Sequence, residues 1–134
     1  MTAFDEAELL AAARAAQQQA YAPYSKFRVG AALLAADGRV FAGANVENAA
    51  YPATICAERV ALPAAVVAGV RDFIALVVVG DGPDPCTPCG TCRQVLFEFA
   101  PSLQVVAAGT GGSVARFVLE RDLLPQGFGP ERLP

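Results

Sequence analysis

The sequence contains no histidine, and this absence excludes several kinds of active site. A Ser-His-Asp triad, a Cys-His protease pair and a histidine-rich metal site all need an imidazole ring. Any side chain that moves a proton in this protein must therefore be a carboxylate, a tyrosine, a cysteine or a lysine.

Basic residues are scarce as well, and Lys26 is the single lysine. The formal net charge is −3 at pH 7, and the arginines are scattered along the chain. Proteins that follow a nucleic-acid backbone carry a stripe of basic side chains. We therefore expect no nucleic-acid partner.

Long apolar runs are also missing. No run reaches the ~18–20 residues that span a bilayer, and the first residues lack the basic segment of a signal peptide. We therefore expect no membrane partner and a cytoplasmic location. In that compartment clustered cysteines are more often metal ligands or catalytic groups than disulfides.

The length of 134 residues is typical of one domain, so residues 1–134 are predicted to form a single domain. Hydrophobic residues make up 54% of the chain, above the usual ~45–50%. The excess predicts a surface that is covered by further copies of the chain, which indicates a homo-oligomer.

Hydrophobic periodicity and turn residues divide the chain into alternating elements. They predict helices over 3–20, 54–69 and 88–100, two strands within 27–49, further strands over 73–80, 103–109 and 114–119, and a short helical turn around 121–124. The order α-β-β-α-β-α-β-β predicts an α/β fold with a mixed sheet, since strand–helix–strand units form parallel pairs. Pro63 lies within the second helix and is predicted to kink it.

The four cysteines occupy two short stretches of the chain. Residues 86–92 read Cys-Thr-Pro-Cys-Gly-Thr-Cys, which contains two overlapping C-x-x-C pairs. Thr87 is a good N-cap and Pro88 suits the first helical position, so Cys89 and Cys92 are predicted to share one face of the first turn. Cys86 then lies outside the helix and is predicted to be the spare thiol.

Cys56 lies in the first turn of another predicted helix, so two helix N-termini can point at one metal ion and favour thiolates there. Three cysteine ligands on Zn²⁺ leave a fourth position open to water, which is typical of catalytic zinc. Glu58 is the candidate proton carrier. Arg59 and Arg93 each follow a functional residue directly and are candidates to donate to a ligand sulfur.

The residue pattern leaves alternatives open. The four cysteines match a closed structural Cys₄ zinc site as well, or a redox dithiol. Glu58 taken alone is typical of a solvated helix carboxylate.

The blocks Cys56-Ala57-Glu58 and Pro88-Cys89-Gly90-Thr91-Cys92 fit the zinc-deaminase signature, with cysteine in place of its histidine. Together with YSKFRVGAALL, NVENAAYPATICAER, PCGTCRQV and LLPQGFGPE, they make the sequence resemble the small homotetrameric cytidine deaminases. The resemblance implies a three-layer α/β/α fold with a five-stranded mixed sheet. It also implies a zinc-dependent hydrolysis of cytidine and 2′-deoxycytidine to uridine and 2′-deoxyuridine, with release of ammonia.

The resemblance assigns roles to individual residues. By this match the zinc ligands are Cys56, Cys89 and Cys92, the proton shuttle is Glu58, and the charge-compensating arginines are Arg59 and Arg93. The nucleoside pocket is lined by Phe27 and the backbone at Ala57, and the ribose 3′-hydroxyl is bound by Asn45 and Glu47. The contacts from a neighbouring subunit are Ala49, Tyr51 and Phe128. Cys86 and Pro63 depart from the family pattern.

Two other functions fit the same sequence. One is a relative on this scaffold that acts on a modified cytosine nucleoside, such as a blasticidin-type antibiotic. The other is a non-enzymatic zinc module with four sulfur ligands that binds a partner.

Overall fold

The structure is a computed structural model that describes residues 2–134. Across these residues five strands form one sheet with helices on both faces. The elements in chain order are α1 (Glu6–Gln17), β1 (Val29–Ala35), β2 (Val40–Ala44), α2 (Ala57–Val67), β3 (Phe73–Gly80), α3 (Gly90–Phe99), β4 (Gln104–Ala108) and β5 (Val114–Val118). Single 3₁₀ turns cover Tyr51–Ala53 and Pro130–Arg132, and a π-helical turn covers Leu119–Leu123.

The strand order across the sheet is β2-β1-β3-β4-β5. Neighbouring strands are antiparallel except for β3 and β4, which are parallel and joined through α3. The β1–β2 hairpin turns at Asp37-Gly38, where Gly38 has a φ of 93°, a conformation that side chains other than glycine rarely adopt. The predicted mixed five-stranded sheet is confirmed.

Both faces of the sheet are covered, which makes the fold three layers thick. On β1, Ala31 and Leu33 pack with buried residues of α2 and α3, whereas Ala32 packs with Leu9 and Ala13 of α1. Because side chains alternate between the faces of a strand, a strand covered on both sides has an almost continuous apolar sequence. The predicted three-layer α/β/α arrangement is confirmed.

The helices that carry the cysteines begin later than predicted. Cys89, not Thr87, is the N-cap of α3, with an extended ψ of 166°. Pro88 disfavours helical geometry at the residue before it, so the chain stays extended through Thr87. Cys56 is likewise the N-cap of α2, with a ψ of 154°. Each helix therefore begins directly after a cysteine.

The first turn of α2 lies directly on β2 because Gly43 has no side chain. A Cβ atom at Gly43 would overlap the carbonyl oxygen of Ala57 and lie 2.8 Å from the backbone nitrogen of Ala61. This close approach brings the start of α2 to the sheet. The helix continues through Pro63, which is exposed, and the predicted kink there stays a prediction.

Within residues 2–134, no helix has both the length and the apolar character needed to cross a bilayer.

Candidate metal centre and active site

Three cysteine thiols meet where the N-termini of α2 and α3 approach each other. The Sγ atoms of Cys56, Cys89 and Cys92 all lie within 4.8 Å of one another, and those of Cys56 and Cys89 are 3.9 Å apart. In a tetrahedral site with Zn–S bonds of ≈ 2.3 Å, neighbouring sulfurs are about 3.8 Å apart. The donor set and its spacing therefore fit zinc.

Cys86 is not a member of this thiol cluster in the described part of the chain. It is half-buried, and burial raises the pKa of its thiol to about 11. The geometry therefore favours three cysteine ligands over the closed four-sulfur site.

The helix N-termini favour negative charge on the clustered sulfurs. In the described structure neither Cys56 nor Cys89 caps its helix with its side chain. The first N–H groups of each helix therefore donate no capping bond to that side chain and contribute a positive potential. A hydrogen bond from Cys92 lowers the pKa of Cys56 to about 5, aided by Arg59. The same hydrogen bond raises the pKa of Cys92.

Only one of the two predicted arginines contacts a sulfur in residues 2–134. Nη2 of Arg59 donates to the Cys56 sulfur over 3.4 Å, and this contact raises the pKa of the guanidinium. Nε of Arg59 is buried and has no hydrogen-bond partner among the described residues. A buried, partly unpaired cation beside three thiols fits an anionic metal centre.

Arg93, the other candidate, does not donate to a sulfur in the described chain. Its Nε donates to the carbonyl of Pro88 over 2.7 Å, its Nη1 to the carbonyl of Leu123 over 3.1 Å, and its Nη2 to the hydroxyl of Thr87 over 3.4 Å. These bonds occupy each of its nitrogens. Arg93 therefore braces the loop that precedes α3.

Glu58 is almost completely buried, with 4% of its surface exposed. It is the second residue of α2, two positions after Cys56. Burial raises the pKa of Glu58 to about 7, and the negative charge of Cys56 adds to the rise. A carboxylate with a pKa near neutrality can both accept and release a proton under working conditions.

A pocket of about 190 Å³ opens beside the thiols. Its lining consists of Val29, Asn45, Thr54, Cys56, Ala57, Glu58, Cys86, Thr87 and Cys89. Val29, Thr54 and Thr87 line the pocket although the sequence did not predict them there. The sequence could have indicated Val29, because it lies two residues after Phe27 and the two side chains point to the same side of an extended chain. No sequence feature indicated Thr54.

Asn45 lines this pocket and binds the backbone of Phe27, which is not itself a lining residue of the pocket. The Phe27 ring is 39% exposed and packs beside Gly80 and Cys86. The Asn45 amide donates from Nδ2 to the carbonyl of Phe27 and accepts at Oδ1 from the backbone N–H of Val29, each over 2.9 Å. Asn45 thus fixes the chain that carries the aromatic ring.

A second pocket of about 400 Å³ adjoins the first, and the two share Thr54. Its lining also includes Tyr24, Ser25, Glu47 and Tyr51. Oε1 of Glu47 accepts hydrogen bonds from the backbone N–H groups of Tyr24 and Ser25, over 2.9 and 3.1 Å. A hydrogen bond from the Ser25 side chain, together with these backbone contacts, lowers the pKa of Glu47, so the carboxylate is ionised at neutral pH.

Three residues predicted to act between subunits are exposed. Ala49 and Phe128 do not line either pocket within residues 2–134, whereas Tyr51 lines the second one. The Phe128 side chain is 58% exposed, and its carbonyl accepts a hydrogen bond from Nε2 of Gln94 over 2.8 Å. This bond fixes the backbone of the tail while the ring faces outward.

Comparisons with known proteins agree with this site. Residues 4–108 match a family model described as the cytidine and deoxycytidylate deaminase zinc-binding region. A cytidine deaminase from Sporosarcina psychrophila is 48% identical over 130 residues, which cover 96% of this chain and 95% of the relative.

Solved structures give the same result. Cytidine deaminase from Burkholderia pseudomallei is 49% identical with a TM-score of 0.89, and the match covers 93% of this chain and 100% of that one. The enzyme from Mycobacterium tuberculosis is 41% identical with a TM-score of 0.83, covering 95% and 99% of the two chains. The sequence, the three-thiol centre and these relatives lead to one conclusion: this chain belongs to the cytidine and deoxycytidylate deaminase family of zinc-binding proteins.

Proposed function

We propose that this protein catalyses the zinc-dependent hydrolytic deamination of cytidine and 2′-deoxycytidine to uridine and 2′-deoxyuridine, with release of ammonia, as a step in pyrimidine salvage. The observation that carries the proposal is the placement of a buried carboxyl group, Glu58, in one pocket with a three-thiol cluster. Such a site supplies both a metal and a proton carrier, which are the two requirements of hydrolysis at an amidine carbon.

We propose Cys56, Cys89 and Cys92 as the zinc ligands, with one ion per chain. When bound, zinc supplies a Lewis acid that makes water nucleophilic near neutral pH. Three thiolates on a divalent cation leave a net negative charge, and the guanidinium of Arg59 offsets it through its contact with Cys56. Arg93 contributes to the centre indirectly, by holding the loop that precedes Cys89.

Glu58 moves both protons of the reaction. It accepts a proton from the attacking water and gives it to N3 of the pyrimidine, which makes C4 electrophilic. As the water oxygen bonds to C4, Glu58 accepts the second proton and gives it to the exocyclic amino group. The C4–N bond breaks, ammonia leaves, and the product keeps a C4 carbonyl and an N3–H. The raised pKa of Glu58, about 7, suits both directions of transfer.

The two adjoining pockets fit the two parts of a nucleoside. We propose that the base occupies the pocket that contains Glu58 and Ala57, against the ring of Phe27. The ribose then extends past Thr54 toward Glu47, and its 3′-hydroxyl is bound by Asn45 and Glu47. An ionised Glu47 would repel a 3′-phosphate, which favours a free nucleoside over a polynucleotide.

Removal of the metal tests this function directly. We expect an absorbance assay to follow conversion of cytidine to uridine by the purified protein, with activity falling to background after treatment with a zinc chelator and returning on addition of Zn²⁺. Magnesium should not restore it, because a trio of thiolates disfavours hard cations. Full turnover by protein shown to be free of metal would contradict the proposal.

We also infer that the working form is a homotetramer of single-domain chains, in which Ala49, Tyr51 and Phe128 reach the active site of a neighbouring copy. Exposed apolar side chains support the inference: Tyr21, Val46 and Ile55 form neighbouring β-bridges near the pockets and are all exposed. Sedimentation equilibrium should return four times the mass of the chain. A monomer at micromolar concentration would contradict this assembly.

We propose a cytoplasmic location, because the site depends on free thiols and the cytosol keeps thiols reduced. We also propose no nucleic-acid or membrane partner, because the site consists of three thiols and a buried carboxyl group and the formal net charge of the chain is −3. A fluorescently tagged chain should be found in the cytoplasm of intact cells. Fluorescence at the cell envelope would contradict this location.

A further inference from the structure

One buried polar side chain has no part in the mechanism above. Among residues 2–134, the buried polar or charged side chains are Gln17, Asn45 and Glu58, which are 5%, 9% and 4% exposed. Asn45 and Glu58 line the pocket, but Gln17 belongs to α1, on the opposite face of the sheet. A buried amide is unfavourable unless it is hydrogen-bonded, so its partners indicate what it does.

The Gln17 amide reaches past the end of β3 to the chain that leads into β1. Its Nε2 donates to the carbonyl of Arg28 over 3.2 Å and to Oδ1 of Asp81 over 3.3 Å. The Asp81 carboxylate also accepts from the backbone N–H of Arg28 over 2.8 Å, and from its Nε and Nη2 over 3.1 and 3.3 Å. Asp81 therefore binds both the backbone and the guanidinium of one residue.

The residue held in this way lies between Val29, which lines the pocket, and Phe27, which we propose contacts the base. Phe27 and Val29 flank Arg28, and Asn45 binds the carbonyl of the first and the N–H of the second. Four successive backbone groups, from the carbonyl of Phe27 to the N–H of Val29, are thus each bound by a side chain: two by Asn45, one by Asp81 and one by Gln17.

We propose that Asp81 and Gln17 are positioning residues for nucleoside binding, because they fix the backbone from which Phe27 and Val29 extend into the substrate site. The proposal rests on the proposed function. Phe27 is 39% exposed, so packing holds its ring only in part and the backbone that carries the ring contributes to fixing its place. A site held in its bound geometry beforehand loses less freedom when the ligand binds.

The contacts argue for a local role over a general contribution to stability. The Arg28 and Asp81 side chains are 43% and 24% exposed, and ion pairs this accessible to water contribute little to folding. Hydrogen bonds to a charged acceptor are stronger and more directional, so their effect falls on the geometry of residues 27–29.

The test compares Asp81→Asn with a matched control, Glu6→Gln. Glu6 belongs to α1, as Gln17 does, and its carboxylate, like that of Asp81, accepts two hydrogen bonds from a guanidinium, that of Arg116 of β5, away from both pockets. Asp81→Asn should raise KM for cytidine and Kd for uridine about tenfold, with kcat within about twofold of the wild type. Glu6→Gln should change none of these, and zinc content should stay constant throughout.

Gln17→Met, which leaves the Arg28–Asp81 ion pair in place, is the second variant, and about a threefold rise in Kd is expected. If Asp81→Asn does not fold, the Kd of Gln17→Met tests the positioning role by itself. Unchanged Kd in the folded variants, or an equal rise in Glu6→Gln, would overturn the positioning role. Calorimetry with uridine needs no turnover, so wild-type protein that binds uridine but does not deaminate cytidine would contradict the proposed function alone. Wild-type protein that binds no nucleoside would overturn both.

Discussion

Glu58→Gln is expected to reduce kcat for cytidine about 10²–10⁴-fold, the range typical of losing a general acid–base group. Glutamine has nearly the same shape but cannot accept and return a proton, so the two transfers to N3 and to the amino group both lose their carrier. Zinc content and uridine affinity should remain close to those of the wild type, because the thiols and the Phe27 side of the pocket are untouched. Steady-state kinetics and metal analysis of one preparation measure all three.

Glu8→Gln is the control for this result. Glu8 is an exposed carboxylate on α1, on the other face of the sheet, so its replacement makes the same chemical change away from the site. Its kcat should equal that of the wild type. Near wild-type turnover by Glu58→Gln would show that another group carries the protons, and the assignment of Glu58 would be wrong.

The second large effect is expected for Cys92→Ala. This change removes one of three thiolates, and the two that remain bind zinc far more weakly, so both bound zinc and deaminase activity should fall to background. Cys92 is completely buried, and the loss of its small side chain alone would leave a modest cavity. Zinc per chain by mass spectrometry, measured beside activity, separates metal loss from partial unfolding.

Cys86→Ala is the matched control, because it removes a thiol from the loop that precedes α3, at the lining of the pocket beside the thiol cluster. It should keep a full complement of zinc, since Cys86 lies outside the thiol cluster of the described chain. Loss of zinc in this variant would indicate a four-sulfur site and would contradict an open position for water.

The order and type of the main elements could be predicted because each has a long pattern of its own, such as the apolar run of β3. The starts of α2 and α3 could not be placed as well. Thr87 and Pro88 are favourable residues for the first turn, but the chain remains extended for two residues more, through Cys89. Local preferences of about 1 kcal/mol are easily overridden by other contacts, such as those through which Arg93 ties this loop to Leu123.

An arginine that follows a functional residue in sequence does not necessarily point its side chain at the thiol cluster. Successive residues of a helix point about 100° apart, so Arg93 points away from the neighbouring Cys92. Arg59 is three positions after Cys56, a spacing that places two side chains on one side of a helix, and its contact with the sulfur is found.

Of the two positioning residues, the sequence pattern could indicate Gln17 but not Asp81. Leu9, Ala13 and Gln17 recur every four residues on the buried side of α1, so a glutamine in this row was a detectable signal. Asp81 gave no signal, because its partners Gln17 and Arg28 are 64 and 53 residues away along the chain. Such contacts exist only once the sheet has formed.

Two helices begin at a cysteine that leaves its first turn without a side-chain cap, and those cysteines are 33 positions apart in sequence. An ion shared between them closes that stretch into a loop, as a disulfide does in a secreted protein, but reversibly and without oxidation. Metal supply would then govern the lifetime of the folded chain as well as its chemistry, because a chain stripped of its ion opens more often to proteases.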